Sequence, residues 1–401
     1  MSSIQDFLDS VEGQCGFLFV KRLAANDTLA TGAHQAGSYV PKGVAFKLFP
    51  SLEQSSETNP RIAFDVEISS HDQESKVVNI IWYNNKTRDE CHITRWGGAG
   101  SPVLNPESTG SLCLFGFFAH AGRDAEKCAV WLCSNPEEED EFERRFDIVE
   151  PGTHLFFDFT SKSQIRRQDE FEYALPAEKL ELWDGSSDGA NFPTGKELID
   201  FIVQKYADTA SLPIDQRLLR RRELEYTEFR RLEKAVVLPR VKDGFDGVDQ
   251  FVDFANSVTN RRKSRSGKSL ELHMVNILEE EGIHDFAHDK VTEGNKRPDF
   301  IFPSIAAYKN PDYPGDNLRM LACKTTCKDR WRQVIDEAPR IPIKHLLTLQ
   351  QGVSENQHAQ MQEAGIQLVV PEGLHKSFPK SVRPHLDAVE DFISQIRASE
   401  N

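Results

Sequence analysis

The sequence predicts a two-domain α+β protein, with a mostly-β N-terminal domain over residues 1–165 and an α/β C-terminal domain over residues 194–401. Three observations lead to this prediction. Short apolar runs separated by turn residues fill the first 160 residues. After Thr194, segments with helical spacing alternate with short apolar runs. Residues 166–193 are polar, lack a sustained hydrophobic period, and are interpreted as a linker.

Six β-branched or aromatic runs predict the strands of the N-terminal domain. They are 15–22, 62–68, 77–83, 112–119, 128–133 and 154–159. Gly, Pro, Asn and Ser clusters separate them, which is typical of an all-β barrel or sandwich. Helices are predicted there only at 4–11, at 43–48 and in an acidic stretch that begins at Pro136.

The C-terminal domain is predicted to have a central mixed sheet covered by helices. Helical spacing is found at 196–206, 215–237, 248–257, 268–281 and 385–396. The apolar runs between these helices, at 298–303, 318–326, 343–349 and 366–370, predict the strands of the sheet.

Composition excludes several classes of protein. With 39% hydrophobic and 28% charged residues, the chain has enough apolar residues for a folded core. No apolar run approaches the length of a membrane span, and we expect no secretory signal because the first residues lack a basic region and an apolar stretch. The seven cysteines are odd in number and form no CxxC pair, which favours buried thiols over a disulfide framework. We therefore expect a cytoplasmic protein with no membrane partner.

The net charge of −15 argues at first against a nucleic-acid partner. The charge is uneven, however. Residues 101–200 carry 21 acidic and 9 basic side chains, whereas residues 201–350 carry 23 acidic and 26 basic ones. An acidic total is thus compatible with a basic groove in the C-terminal domain.

Catalytic chemistry is predicted at the ends of two C-terminal strands. Asp299 opens the run DFIFP, and Lys324 lies in the next apolar run. A carboxylate and a lysine at adjacent strand ends suit metal-dependent phosphodiester cleavage, with Mg²⁺ held by carboxylate oxygen and the lysine beside the phosphate. In the PD-(D/E)xK nucleases an acid lies two positions before the lysine, but here that position is Ala322.

Another residue must therefore supply the second carboxylate, and Glu337 is the best candidate. It follows Lys324 by 13 positions, on a helix predicted from Asp329 to Ala338. This spacing is similar to the K-x12-E arrangement of a subgroup of restriction enzymes. Asp299 and Glu337 are thus the predicted metal ligands.

Three further residues are candidates for the same site. Glu271 borders the apolar face of its helix, where an unpaired charge would be costly, although a salt bridge on the helix face explains it equally well. Tyr308 and Lys328 are candidates for phosphate contacts, with an ordinary surface role as the alternative.

Basic residues cluster near the candidate site in three runs, at 217–226, 260–271 and 323–332. Lys and Arg neutralise phosphates, and paired Arg donors also read guanine in the major groove. A run of charge is usually only a solvated face. The C-terminal candidates for DNA contact are Arg222, Arg261, Arg262, Lys263 and Arg265.

Long segments of the sequence resemble the EcoRII family of type IIE restriction endonucleases. In the C-terminal half they are 255–273, 292–304, 317–334 and 367–376. In the N-terminal half they are 20–41, 68–72, 86–102 and 106–110. These segments are long and non-repetitive, so they are more specific than any short motif.

The resemblance implies a homodimeric, Mg²⁺-dependent enzyme of a restriction-modification system that cuts double-stranded DNA at a short, CCWGG-like pseudopalindromic site. It implies a C-terminal restriction-endonuclease fold whose site contains Asp299, Lys324, Lys328, Tyr308 and Glu337. It also implies an N-terminal β pseudobarrel that binds a second copy of the site as an allosteric effector and restrains catalysis. The effector contacts it implies are Lys21, Arg22, His34, Tyr39, Lys86, Arg88 and Glu90.

The sequence departs from the family pattern at one point. The family's DNA-contacting loop continues after the glutamate with two basic residues, and this chain has Cys91-His92. Fewer cations there would weaken or alter effector binding. Because Ala322 breaks the nuclease motif, a non-catalytic DNA-binding regulator with a degenerate nuclease domain stays open as the alternative function.

Overall fold

Two separate β-sheets organise the chain, one in each half. The computed structural model describes residues 3–32, 37–85, 88–160, 166–167 and 192–400. The strands among these residues are β1 Phe17–Arg22, β2 Ser38–Val40, β3 Arg61–Ile68, β4 Gln73–Tyr83, β5 Glu90–Thr94, β6 Leu112–Phe118, β7 Lys127–Leu132, β8 His154–Asp158, β9 Arg166–Arg167, β10 Ala287–His288, β11 Phe300–Phe302, β12 Arg319–Cys323, β13 Lys344–Leu347 and β14 Ile366–Val369.

Helices flank both sheets. Those found in the described residues are α1 Ile4–Gln14, α2 Lys42–Leu48, α3 Pro50–Gln54, α4 Pro136–Arg145, α5 Gly195–Lys205, α6 Ile214–Asp243, α7 Val248–Glu280, α8 Ile305–Lys309, α9 Trp331–Val334, α10 Glu355–Glu363, α11 Glu372–His375 and α12 Val389–Glu400. The mixed α+β fold predicted from the sequence is thus confirmed. None of the described helices is both long and apolar enough to cross a membrane.

The N-terminal sheet has the strand order β2-β5-β4-β3-β7-β6-β1-β8-β9 across the described strands. Neighbours are antiparallel, except that β3 and β7 run parallel. One face packs on a large core that includes Phe19, Phe49 and Phe115. Leu18 and Leu114 face the opposite core, with α1 and α4. Strand residues therefore alternate between two apolar layers, as period-2 geometry requires.

The C-terminal sheet has the order β10-β11-β12-β13-β14. β11 pairs antiparallel with β10 and β12, whereas β12, β13 and β14 are parallel. Met320 and Ala322 on β12 enter one core, and Leu321 and Cys323 enter the other. Because both faces are covered, these strands appear in the sequence as continuous apolar runs.

The structure corrects three predicted helix boundaries. The segments 248–257 and 268–281 belong to one helix, α7. α6 continues past Val237 through Pro239 to Asp243, where Gly244 follows with a φ of 82°. Ala235, four residues before the proline, is exposed, so water can satisfy the carbonyl that the proline leaves without a donor.

The third correction concerns the helix predicted from Asp329 to Ala338, which is only α9, Trp331–Val334. Ala338 has a φ of 43° and precedes Pro339. A proline disfavours helical geometry in the residue before it, so the chain turns away here. Glu337 therefore lies in the turn after α9.

Candidate active site

Asp299 and Lys324 meet at one edge of the C-terminal sheet. Asp299 immediately precedes β11 and Lys324 immediately follows β12. Because these strands are antiparallel, the start of one lies beside the end of the other. Lys324 Nζ lies 3.6 Å from Asp299 Oδ2, and the Cys323 backbone N–H donates to the same oxygen at 2.6 Å. The sequence had predicted this pair.

Glu337 contributes a second buried carboxylate. Its Oε2 atom is buried without a hydrogen-bond partner in the described structure. Burial raises the pKa of Glu337 to about 7; Lys324 acts in the opposite direction and Asp299 in the same direction. Burial likewise raises the pKa of Asp299, and Lys324 and the Cys323 N–H offset this in part. Two carboxylates with raised pKa values are thus close enough to one ammonium group to feel its charge.

Glu271 on α7 also reaches this site. The Glu271 carboxylate acts to raise the pKa of Asp299. Glu271 is buried, and its Oε1 lies 2.8 Å from His288 Nε2. His288 stands on β10 opposite Phe300, and its ring stacks on the Phe300 ring at 5.1 Å. Sequence reasoning did not place His288 at this site, because the strand pairing of 288 with 300 leaves no local signal.

Tyr308 and Lys328 have other partners in this structure. Tyr308 is buried on α8, where its hydroxyl donates to Glu293 at 2.7 Å. Burial, together with the Glu293 carboxylate, raises the pKa of Tyr308 to about 12. The Lys328 ammonium donates to the hydroxyl of Ser111, which belongs to the N-terminal half. Lys328 thus lies at the contact between the two halves.

Carboxylates of the N-terminal half bind the arginines of α6 and α7. Arg222 Nη2 donates to Glu150 at 2.9 Å, and Arg265 donates to the same carboxylate. Arg262 lies 3.2 Å from Asp147. Three of the predicted DNA-contacting arginines are therefore paired with acids, and Arg222 and Arg265 are buried.

The same two arginines continue into a buried cluster within the C-terminal half. Arg222 and Arg265 each lie 3.4 Å from Glu225, which also accepts from Ser269. Burial opposes ionisation of Glu225, but Arg265, His273 and Arg222 hold its pKa well below the usual value. The arginines are thus held on both sides by acids.

The remaining C-terminal candidates are less constrained. Arg261 is half-buried with its guanidinium 4.3 Å from the centre of the Phe192 ring, and burial lowers its pKa. Lys263 is half-buried on the same helix.

A further contact between the halves joins Glu107 to the N-terminus of α10, where Ser354 Oγ donates to the carboxylate at 2.6 Å. Sequence reasoning missed Glu107, Asp147 and Glu150, because nothing local distinguishes them from other surface acids.

Of the N-terminal candidates, Lys21 and Arg22 are buried in ion pairs. Lys21 Nζ lies 2.8 Å from Asp27, and Arg22 binds Glu139 at 2.8 Å and Glu143 at 3.0 Å. Both cations therefore have acidic partners inside the fold in this structure. His34 and Lys86 lie outside the described residues.

Tyr39, Arg88 and Glu90 form an exposed group. The Tyr39 ring lies 5.7 Å from the His92 ring, and His92 lies 5.8 Å from the Tyr83 ring. The Arg88 guanidinium lies 5.8 Å from Tyr83 and 3.9 Å from the Glu90 carboxylate. Cys91, in contrast, is fully buried. Of the two departures from the family loop, only His92 therefore faces the predicted effector surface.

Comparisons with known proteins bear on the whole chain. Residues 13–159 match the family "Restriction endonuclease EcoRII, N-terminal", and residues 229–393 match "EcoRII C terminal". The chain is 42% identical to the type II restriction enzyme EcoRII of Escherichia coli over 405 residues, covering 99% of this chain and 98% of that enzyme. It is 28% identical to the type II restriction enzyme SsoII of Shigella sonnei over 166 residues, covering 37% of this chain and 53% of SsoII.

Among solved structures, metal-depleted Ecl18kI in complex with uncleaved DNA is similar with a TM-score of 0.42 and 20% identity, covering 52% of this chain and 79% of that one. The matches to curated enzymes define the class, which is a restriction endonuclease. Within that class, the chain belongs to the EcoRII family. The resemblance drawn from the sequence is thereby confirmed.

Proposed function

We propose that this restriction endonuclease hydrolyses double-stranded DNA at a short, CCWGG-like pseudopalindromic site, with Mg²⁺ as cofactor and 5′-phosphate ends as products. It acts as a homodimer, and a second copy of the site, bound at the N-terminal pseudobarrel, activates it. The observation that carries the catalytic part of the proposal is the meeting of Asp299, Lys324 and Glu337 at one sheet edge.

The donor set at this edge fits a hard divalent cation. Asp299 and Glu337 offer carboxylate oxygens, and the buried Glu337 Oε2 lacks any hydrogen-bond partner in the described structure. Among the described residues, no group of three carboxylate, imidazole or thiol side chains forms a complete metal cluster. Two carboxylates suit Mg²⁺, because this ion keeps several waters and also uses phosphate oxygens of a substrate. When bound, it would acidify a water and offset charge on the scissile phosphate.

The protein's own groups perform the rest of the reaction. Asp299 holds the Lys324 ammonium close to the sheet edge, where that group orients the attacking water and stabilises the extra negative charge of the transition state. The water gives up a proton to solvent as its oxygen forms a bond to phosphorus, while the bond from phosphorus to the 3′ oxygen breaks. One product then ends in a 5′-phosphate, and the 3′ oxygen takes up a proton.

The contacts between the halves support regulation by the N-terminal half. Glu150 and Asp147 bind Arg222, Arg265 and Arg262, so these cations are not available to DNA phosphates while the contact persists. Binding of effector DNA by the N-terminal half would compete with this arrangement and release the arginines. Tyr39, Arg88 and Glu90 are the described residues proposed to contact the effector, with His92 beside them.

A single digestion tests the catalytic proposal. A mapped plasmid with several CCWGG sites is incubated with the full-length protein, with and without Mg²⁺, and the product ends are sequenced. The proposal requires discrete fragments with 5′-phosphate ends that map to the proposed sites, and no fragments when EDTA is present. Fragments that form equally well in EDTA would refute the metal-dependent mechanism.

A truncation tests the regulatory proposal. A protein that lacks residues 1–165 should cleave single-site DNA faster than the full-length chain, because the carboxylates that bind the arginines are absent. A folded truncated protein, verified by circular dichroism, that cleaves no faster would contradict the proposal that the N-terminal half restrains catalysis.

A further inference from the structure

The antiparallel helices α6 and α7 form a hairpin whose outer part has no core. The last side chains of the hairpin that are buried are Leu232 and Glu233 on α6 and Arg265 on α7. None of the residues from 234 to 264 is buried. Most helical stability in proteins comes from packing of an apolar face, so a hairpin of this length without buried residues lacks that source of stability in the isolated chain.

The hairpin tip nevertheless carries an apolar surface. The described chain has eight exposed large hydrophobic residues, and five of them lie on this tip: Leu238, Val241, Val248, Phe251 and Val252. Val248 is 77% exposed, and Phe251 is 51% exposed. On α7, the positions 248, 251, 252 and 255 follow helical spacing, so they share one face. Large apolar side chains that are exposed together at one end of a hairpin are typical of an interaction site.

The turn of the hairpin is ordered by its own contacts and leaves this surface open. The Phe245 ring packs at 5.4 Å from both Phe251 and Phe254. The Arg240 guanidinium lies 4.9 Å from the Phe245 ring. The aromatic cluster therefore closes the end of the hairpin, and the apolar face on the outside of both helices has no partner within the described chain.

The charges on the hairpin tip indicate which kind of partner binds its apolar surface. The α6 part, residues 234–243, has the cations Lys234, Arg240 and Lys242 and one acid, Asp243. The α7 part, residues 248–260, has the acids Asp249 and Asp253 and no cation. DNA is a poor partner for such a surface, because its phosphates would face the acids of α7.

A second copy of the chain provides opposite charges for both helices. In a two-fold interface the same patch meets itself, so the surface must be self-complementary. Two hairpins packed side by side would set the basic segment of each α6 against the acidic segment of the other α7, around a shared apolar centre. We propose that residues 234–260 are the surface through which two copies of this enzyme associate.

This inference rests on the proposed homodimer and adds the surface that forms it. The hairpin links that surface directly to the candidate site, because α6 carries Arg222, and α7 carries Arg265 and Glu271. Val252 and Glu271 are 19 positions apart on one helix, about 28 Å at 1.5 Å per residue. Association at the tip would thus fix the two active sites relative to each other through continuous helices.

The first experiment measures the oligomeric state of the full-length protein at about 10 µM by sedimentation velocity. The wild type should be a dimer, and a protein with Phe251→Glu and Val252→Glu should be a monomer with an unchanged circular dichroism spectrum. Val77→Glu is the matched control, because Val77 is 60% exposed on β4, away from the hairpin, and this variant should stay dimeric.

A charge exchange tests the pairing itself. One variant reverses α6 (Lys234→Glu, Arg240→Glu, Lys242→Glu) and another reverses α7 (Asp249→Lys, Asp253→Lys). Each alone should associate at least tenfold more weakly than the wild type, and an equimolar mixture should recover dimers, because both helix contacts then pair opposite charges. Dimers can form again in this mixture only if the partner of each hairpin is a second copy of the chain.

The possible results distinguish failure of the proposed interface at residues 234–260 from failure of the proposed homodimer. A monomeric wild type would overturn the homodimer and the interface together. A dimeric wild type whose glutamate and charge variants also remain dimers would overturn the interface alone. Neither outcome bears on Mg²⁺-dependent cleavage, which the plasmid digestion measures separately.

Discussion

The Glu150 carboxylate accepts a hydrogen bond from Arg222 Nη2 at 2.9 Å, across the contact between the two halves of the chain. Arg265 binds the same carboxylate, and both arginines are buried. A carboxylate held between two arginines occupies a position that suits a phosphate, because both anions bind guanidinium groups in the same way.

Glu150→Gln combined with Asp147→Asn should raise the rate of cleavage of single-site DNA by about tenfold, within the usual range of coupling between sites. Neutral side chains bind the arginines less tightly, so the N-terminal half separates from them more often. The measurement is the initial rate on a one-site plasmid, with and without a short effector duplex. Glu12→Gln is the control, because Glu12 pairs with Arg145 inside the N-terminal half. A variant with unchanged single-site activity would show that these carboxylates do not restrain the enzyme.

The second prediction concerns the central pair. Lys324→Ala and Asp299→Ala should each lower the cleavage rate by about 100-fold or more, since Lys324 would stabilise negative charge in the transition state and Asp299 would hold both Mg²⁺ and the Lys324 ammonium. Sequence-specific binding, measured by gel shift in Ca²⁺ without Mg²⁺, should persist. Arg319→Ala is a suitable control, because Arg319 begins β12, the strand that Lys324 follows, and its guanidinium donates to the backbone carbonyls of Asp316 and Leu318. Full cleavage by the Lys324→Ala protein would remove the proposed mechanism.

Substitution of Glu337 should raise the stability of the protein at high pH and lower its cleavage activity. The pKa of Glu337 is raised from 4.5 to about 7 by burial, so the folded state holds a proton that the unfolded chain releases near pH 4.5. The contribution of Glu337 to the free energy of unfolding should therefore fall as pH rises from about 4.5 through 7, because at this group the unfolded state binds fewer protons over that range. Glu337→Gln removes this penalty.

The variant should consequently have a higher Tm than the wild type at pH 8 and a similar Tm at pH 4, both measured in EDTA. It should also lose cleavage activity, because the amide is a poorer ligand for a divalent cation. Asp336→Asn is the neighbouring control, since the Asp336 side chain is mostly exposed. A Tm difference that does not change with pH would contradict the assignment.

The sequence predicted the part of the site that depends on local pattern. Asp299 and Lys324 adjoin short apolar strands, and strand ends in a covered sheet can be read from such runs. The prediction of a break in α7 failed for a physical reason. Residues 259–267 lack large apolar side chains because arginines make the contacts instead, and Arg262 bonds Glu233 at 2.7 Å. A hydrophobic period cannot reveal a helix that packs through ion pairs.

The contacts that cover the site could not be predicted from sequence. Glu150 meets Arg222 and Arg265 across separations of 72 and 115 residues. The sequence around an acidic side chain in a loop does not indicate a partner so far away along the chain. The same reason hid His288, whose role depends on the pairing of β10 with β11. Local pattern thus predicted that Asp299 and Lys324 lie together, but it predicted neither the contacts from the N-terminal half nor the position of His288.

The last prediction assigns His288 a positioning role. His288 Nε2 lies 2.8 Å from Glu271 Oε1, and stacking on Phe300 fixes the imidazole ring. A hydrogen bond from this nitrogen would orient the Glu271 carboxylate toward Asp299 and the proposed metal position. Outer partners of metal-site groups typically change metal affinity by 10- to 100-fold when removed. His288→Leu should accordingly raise the Mg²⁺ concentration for half-maximal cleavage by about tenfold.

The prediction distinguishes positioning from a general loss of structure. The same variant should need about tenfold more Ca²⁺ to promote specific DNA binding, a readout without catalysis, while its Tm in EDTA changes little. His284→Leu is the control, because His284 is exposed on the preceding loop. In a Glu271→Gln background, His288→Leu should have no further effect, because the group it orients is gone. An additive effect of the two substitutions would show that His288 acts independently of Glu271.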